Sequence, residues 1–281
     1  MRVAIIGLGL IGGSLGLALK SAGAEVTGFA RRPETASQAV NRGVVDRCGD
    51  DIASAIKGAE IIVIATPVLA VKDILIEIAS HLPKGAIVTD VASTKVDVMT
   101  WAGKYLPAKT CFIGGHPMAG KEASGIAASD ADLFRGCTYC LVPGDNAKAE
   151  SQKNLEDMVK SIGARPFYID AKEHDALVAG VSHLPHLLSV ALVAATVNDP
   201  RWPAMAKLAA SGYRDTTRLA SGDPRMSRDI CLTNRGPILE ALDRYINSLN
   251  DLRRLISDGD AGIEESFIRA REARENWLRQ K

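Results

Sequence analysis

The chain has 281 residues, 47% of them apolar and 24% charged, which suits a soluble globular protein with more apolar sequence than one ordinary core takes up. Thirty-four Lys and Arg stand against 33 Asp and Glu, a net charge of +1, so composition supports neither a polybasic nucleic-acid surface nor an acidic tail. Twelve prolines and 25 glycines without a period exclude collagenous or low-complexity architecture, and five scattered cysteines in a chain this long point to a reducing compartment, the cytoplasm.

The first 170 residues alternate short β-like runs with helical patterns, the signature of a doubly wound α/β sheet covered on both faces. Strands are predicted at residues 3–7, 25–30, 60–65, 86–91, 110–114, 138–142 and 165–169. Helices are predicted between them, notably at 10–21, 68–81 and 147–162. Arg2, the apolar run to Leu19 and Ala22-Gly23-Ala24 imitate a secretory leader. Glycines at 7, 9 and 12 and the alternating run after residue 24 favour strand, turn and helix instead. Cys137 and Cys140 lie three apart in a strand-like run, which puts them on opposite faces and argues against shared metal binding. No other segment has metal-ligand spacing.

Beyond Asp170 every periodic segment reads as helix, giving two expected domains, 1–170 for a dinucleotide and an all-helical 171–281 for substrate and dimerisation. Residues 175–197 are apolar on nearly all sides, which predicts a helix buried all round; Ser182, His183, Pro185 and His186 interrupt the run, so no membrane span is expected. Ile238, Leu242, Tyr245, Leu249, Leu252 and Ile256 recur at steps of four and three, a packing seam compatible with a homodimer.

Gly7-Leu8-Gly9-Leu10-Ile11-Gly12 follows a strand and opens a helix, the context in which GxGxxG signals a dinucleotide. Gly7 allows the tight turn, Gly9 admits the pyrophosphate and Gly12 permits close helix–strand packing, with Leu10 and Ile11 presenting helix amides to the anion. Thr66 and Pro67, after the third strand, are expected to border the same cofactor. An NAD-selective loop would carry an acid at the end of the second strand. Here that strand ends in Ala30-Arg31-Arg32, suited to a 2′-phosphate, so NADP is expected, with NAD possible.

Three further motifs carry chemistry. "TDVASTK" places Ser93 and Lys95 at a carboxyl edge of the sheet, where α/β proteins bind ligands, and "GGHPMAGKEASG" does the same for His116. The glycines before His116 and Pro117 after it predict an exposed imidazole. The helical part contributes "VSHLPHLL", where Pro185 should open the turn beside His183 by freeing the Val181 carbonyl, and "GYRDTTRLASGDPRMSRDI". Ser93 is also a natural N-cap for the helix beginning near Lys95.

These motifs, in this order and spacing over essentially the whole chain, resemble the prephenate/arogenate (cyclohexadienyl) dehydrogenase family of tyrosine biosynthesis. The resemblance implies oxidation of the ring hydroxyl carbon of a cyclohexadienol, with hydride passing to nicotinamide and the ring carboxylate leaving as CO2. It implies His116 as the base at the hydroxyl, Ser93 bonding the same hydroxyl or orienting the histidine, and His183 lining the substrate pocket, with His186 structural. It implies Arg218 gripping a substrate carboxylate, and Arg214 with Asp215 as a charged pair at the pocket mouth, Glu122 being a further partner. Lys121 departs from the family pattern, which has a small hydroxyl residue before the glutamate, and bears on substrate choice. Tyrosine, if it inhibits, is expected to compete at this site, since no residues are left over for a regulatory module. Two rivals remain at this point. A β-hydroxyacid-type dehydrogenase would need a lysine base on the helical side, which offers mainly Lys172 and Lys207, neither in a matching motif. A non-catalytic NADP sensor would leave His116, Ser93 and Arg218 without a role.

Overall fold

The computed structural model describes residues 1–280. Eight strands form one sheet: β1 (Arg2–Ile6), β2 (Glu25–Phe29), β3 (Arg47–Cys48), β4 (Ile61–Ile64), β5 (Ile87–Asp90), β6 (Cys111–Pro117), β7 (Thr138–Pro143) and β8 (Arg165–Tyr168). Their order is β3-β2-β1-β4-β5-β6-β7-β8. The order reverses at β1, which lies between β2 and β4, so the leader-like N-terminal run forms an interior strand and the helix that follows it, α1 (Leu10–Ser21). All pairings are parallel except β6 with β7, where Gly115 faces Leu141 and His116 faces Cys140. A long connection holding only a short 3-10 turn, Ile126–Ala128, allows β7 to return antiparallel; parallel return would need a crossover helix.

Strands buried on both faces read as unbroken apolar runs, and β4 (Ile61-Ile62-Val63-Ile64) is one. Alternate residues serve opposite cores. Val3, Ile5, Ile61 and Val63 pack with Leu15 and Leu19 of α1 and with Leu155 and Val159 of a later helix. Ala4, Ile6, Ile62 and Ile64 pack on the other face with Val71 and Leu75 of α4 (Val68–Ile78) and Val98 of α5 (Val96–Tyr105). The other helices of this half are α2 (Pro33–Asn41), α3 (Ile52–Ile56) and α6 (Ala149–Ser161).

After Asp170 the described residues form helices and short connectors, with no strand: α7 (Ala171–Val178), α8 (Leu184–Val197), α9 (Trp202–Leu208), α10 (Ser211–Thr217), α11 (Pro224–Thr233), α12 (Arg235–Ser257) and α13 (Gly262–Arg279). The chain groups into two compact units, Met1–Arg235 and Gly236–Lys281. Helices α7 to α11 therefore belong with the sheet, because α7 is tied to β6 and α5 by the polar contacts described below.

Between α7 and α8 lies one π-helical turn, Ala179–His183, directly before Leu184-Pro185. This is the opened turn that the proline predicts: without its N–H, Pro185 cannot continue the regular ladder, and the backbone accommodates an extra residue. By length and composition the stretch Ala171–Val197 would suffice to cross a bilayer. The expectation that it is buried all round is not met. Within α8 only Ser189 is buried, and Val190 and Val197 are exposed, because the single chain supplies neighbours on one side only.

Candidate active site

In a parallel sheet every strand delivers its carboxyl end to the same edge, and here that edge collects the glycine loop after β1, Thr66 after β4, Ser93 and Lys95 after β5, and His116 at the end of β6. Gly7 has φ +102°, and a Cβ there would lie 2.5 Å from the Ala65 carbonyl oxygen. A Cβ on Gly12 would lie 1.9 Å from the Gly7 oxygen, so α1 can start this close to β1 only on glycine. Gly9 differs: its Cβ would meet nothing within 4 Å, leaving open space above the first turn of α1. No side chain caps α1, so its first amides, at Leu10 and Ile11, point into that space. Thr66 Oγ1 is buried and lacks a hydrogen-bond partner among the described residues. An uncapped helix start, a backbone cradle and an orphaned hydroxyl fit a dinucleotide. At the neighbouring β2 end, Ala30 is half-buried while Arg31 and Arg32 are exposed, and Pro67 opens α4 as its N-cap.

His116 is only 7% exposed, a correction to the exposed position expected from its flanking glycines and proline. Burial comes from two sides: β7 pairs against it through Cys140, and His174 of α7 stands edge-on to its ring. His116 Nδ1 is 2.9 Å from His174 Nε2, and His174 Nδ1 is 2.8 Å from Asp175 Oδ1. Asp175 also accepts the backbone N–H groups of Lys95 at 2.7 Å and Val96 at 2.9 Å, capping α5 from another helix. The N-cap of α5 is Lys95, so Ser93, half-buried in the preceding loop, does not take the capping position foreseen for it.

Beneath this chain lies a buried ion pair. The Lys95 ammonium meets the Asp90 carboxylate and donates to the Gly115 carbonyl at 2.7 Å, while Asp90 Oδ1 accepts from the Gly115 N–H at 3.1 Å. A Cβ on Gly115 would fall 2.4 Å from the Asp90 carbonyl oxygen, which explains the second glycine of "GGHP". Burial holds the Lys95 ammonium below the usual lysine range, with Asp90 opposing it. Burial foremost, then His174, Lys95 and His183, hold His116 well below the ordinary histidine value, so it is neutral at pH 7.

His183 is also buried. The Asn234 amide nitrogen lies 3.1 Å from its Nδ1 and donates to the Asp175 carbonyl at 2.7 Å. With Nδ1 accepting, neutral His183 carries its proton on Nε2, and that Nε2–H is orphaned among the described residues. Burial lowers its pKa to about 4. His186, one turn on, bonds the Ser227 hydroxyl at 2.8 Å.

The expected charged trio is arranged differently. Arg218 pairs with Glu122, whereas Arg214 pairs with its neighbour Asp215 at 3.3 Å; Glu122 is thus the partner of Arg218 and not of the 214–215 pair. Lys121 pairs with Asp130 at 2.6 Å. Lys172 and Lys207, the lysines considered for a helical-side base, are exposed and outside the cluster. His174, Asp175, Asp90 and Asn234 are the residues sequence reasoning missed. A signal existed: His174 and Asp175 share with Val178 the buried stripe of α7, and polar side chains there require partners. Among the described residues no cluster of His, Cys, Asp and Glu suits a metal, and all five cysteines are free.

The family model described as "Prephenate dehydrogenase, nucleotide-binding domain" matches residues 15–168, and that described as "Prephenate dehydrogenase, dimerization domain" matches residues 170–270. The chain is 36% identical over 285 residues to the prephenate dehydrogenase of Bacillus subtilis, covering 99% of this chain and 77% of that one. It superposes on the prephenate dehydrogenase of A. aeolicus, solved with hydroxyphenyl propionate and NAD+, with TM-score 0.91, 30% identity and 98% of each chain covered. It also superposes on Synechocystis arogenate dehydrogenase, with TM-score 0.84, 32% identity, 99% of this chain and 100% of the other covered. Two consecutive family matches, over residues 15–168 and 170–270, show that this chain belongs to the prephenate/arogenate dehydrogenase family.

Proposed function

We propose that His116 is the base of this dehydrogenase and that the site around it selects NADP. The family reaction is an NAD(P)-dependent oxidative decarboxylation of prephenate or arogenate, giving 4-hydroxyphenylpyruvate or tyrosine. The nicotinamide, when bound, supplies the hydride acceptor. The protein's part is to take the hydroxyl proton as the carbonyl forms. The C–C bond to the ring carboxylate then breaks, CO2 leaves, and the electron pair completes the aromatic ring as the ring oxygen takes the proton back from the imidazolium. Aromatisation drives this step, so one neutral base with a free nitrogen is sufficient. The observation that carries the assignment is the neutral His116 at the carboxyl end of β6, with Nδ1 engaged by His174. Ser93 sits in the loop between β5 and α5 at the same edge and would bond the substrate hydroxyl; the orphaned Nε2–H of His183 offers a second donor.

Arg218 would bind a substrate carboxylate, with Glu122 holding its guanidinium until then, and Arg214, Asp215 and Lys121 set the charge around the entrance. Residues 1–170 bind the dinucleotide in this reading, and 171–281 form the substrate and dimerisation domain. The "dimerization domain" match over 170–270 and the uncovered Val190 and Val197 of α8 support a homodimer, which sedimentation velocity at micromolar concentration tests. Five free cysteines support a cytoplasmic location. For the cofactor, β2 ends without an acid and the next residues are Arg31 and Arg32, which suit a 2′-phosphate. The test is the absorbance change at 340 nm with prephenate and with arogenate, each with NADP+ and NAD+. The expected result is a higher kcat/KM with NADP+ that Arg31→Ala abolishes. Equal efficiencies in wild type and variant would overturn the NADP assignment, and no turnover of either ring substrate would overturn the reading as a whole.

A further inference from the structure

We infer that His174 and Asp175 form a tautomer-setting relay behind His116, a positioning device that leaves His116 Nε2 as its free basic nitrogen. The inference rests on the reading of His116 as the base and deepens it.

The geometry permits one proton arrangement for two neutral imidazoles. The Asp175 carboxylate accepts two backbone N–H groups at the start of α5, a setting that favours negative charge, so the 2.8 Å contact with His174 needs a proton on His174 Nδ1. Neutral His174 then has a bare Nε2, which can only accept. Its 2.9 Å neighbour, His116 Nδ1, must therefore be the donor. What remains on His116 is a lone pair on Nε2. Without the relay, a histidine in water favours the opposite tautomer by a small margin, and a buried one takes whichever its neighbours dictate.

The relay also steadies the product of the proton transfer. When Nε2 receives the hydroxyl proton, His116 becomes an imidazolium in a site already crowded by the Lys95 ammonium and by His183, with Asp90 held in its own pair. The Nδ1–H keeps donating to His174, and the Asp175 carboxylate polarises His174 in turn. No proton needs to leave His116 Nδ1. Asp175 has a second duty that makes the arrangement stiff: its carbonyl accepts from Asn234, which orients His183, so one residue sets both imidazoles that face the site.

The test combines spectroscopy with kinetics. In 15N-labelled wild-type enzyme at pH 7.5, the imidazole nitrogen shifts are expected to show His116 protonated on Nδ1 and bare on Nε2; an Nε2–H form would overturn the inference even if no variant folded. In His174→Phe the form should become mixed, with kcat down about 10²-fold and KM within about threefold, as expected when a base loses its orientation. His174→Gln, whose Oε1 can still accept from Nδ1–H, should recover about tenfold of that loss. Unchanged NADP+ affinity and melting temperature would confirm that both variants are folded. A folded His174→Phe with kcat within about twofold of wild type would overturn the relay. Failure of the underlying reading looks different: His116→Asn would then keep its rate while the wild-type spectrum still showed the Nδ1–H form.

Discussion

Arg218 and Glu122 form an ion pair between the short 3-10 turn after α10 and the segment following β6, 96 residues apart in sequence. Both side chains keep solvent contact, so the pair itself adds little to stability. In the proposed reading its consequence is functional: the guanidinium would be held and charge-balanced by Glu122 until a substrate carboxylate competes for it.

Replacing Arg218 by alanine should therefore raise KM for the ring substrate by roughly 10–100-fold, the range of a lost charge-assisted hydrogen bond, and leave kcat nearly unchanged. Steady-state kinetics at saturating NADP+ measure this. A fall in kcat at constant KM would refute a carboxylate-binding role.

His116→Asn should lower kcat by about 10²–10⁴-fold with little effect on substrate affinity. The pH profile gives an independent check. His116 is held well below 6.5, so its imidazole is already unprotonated at neutrality; if it takes the proton as proposed, kcat/KM should be flat from pH 7 to 8 and fall only in acid. An acidic limb centred above pH 6.5 would show that a different group, or a solvated His116, takes the proton.

Much of this site was legible in the sequence because it is local. The glycine loop and the "GGHP" strand end place their groups through neighbouring residues, and Pro185 announced the opened turn at Ala179–His183. The exposure of His116 was misjudged because its cover comes from elsewhere: β7 reverses direction after a loop of about twenty residues, and His174 approaches from α7. Sequence patterns fix neither the sense of a strand after such a loop nor the partner of a buried polar pair. The Glu122 pairing was misassigned for a similar reason. Three charged residues within five positions look equivalent, yet Arg214 and Asp215 turn to each other and only Arg218 meets Glu122.

Acid should unfold this protein partly through its buried histidines. His183 has its pKa lowered to about 4 against 6.5 when exposed, so the folded state disfavours its protonated form. The stability it contributes is fully present above pH 6.5 and is lost as pH falls from 6.5 towards 4, up to roughly 3 kcal/mol. His116 acts in the same direction. Denaturant midpoints between pH 7.5 and 4.5 should drop steeply in wild type and less steeply in His183→Gln. Identical slopes would mean that His183 is not buried in its neutral form.

The two neighbouring loop glycines should respond oppositely to alanine. At Gly12 the new methyl would collide with the Gly7 carbonyl at 1.9 Å, and no flexible side chain can yield, since the obstacle is backbone. The start of α1 must then move away from β1, and Gly12→Ala should lower the melting temperature by several degrees, as an overpacked core position does at a cost of about 1–3 kcal/mol. At Gly9 the methyl enters open space with an ordinary backbone conformation, φ −85°, so the free protein should melt at the wild-type temperature. That same space is where a pyrophosphate must approach the α1 amides, and Gly9→Ala should weaken NADP+ binding by tenfold or more, about 1.4 kcal/mol. Calorimetric titration of NADP+ into both variants, alongside thermal melts, separates the two effects. Unchanged affinity in Gly9→Ala would place the dinucleotide away from this loop.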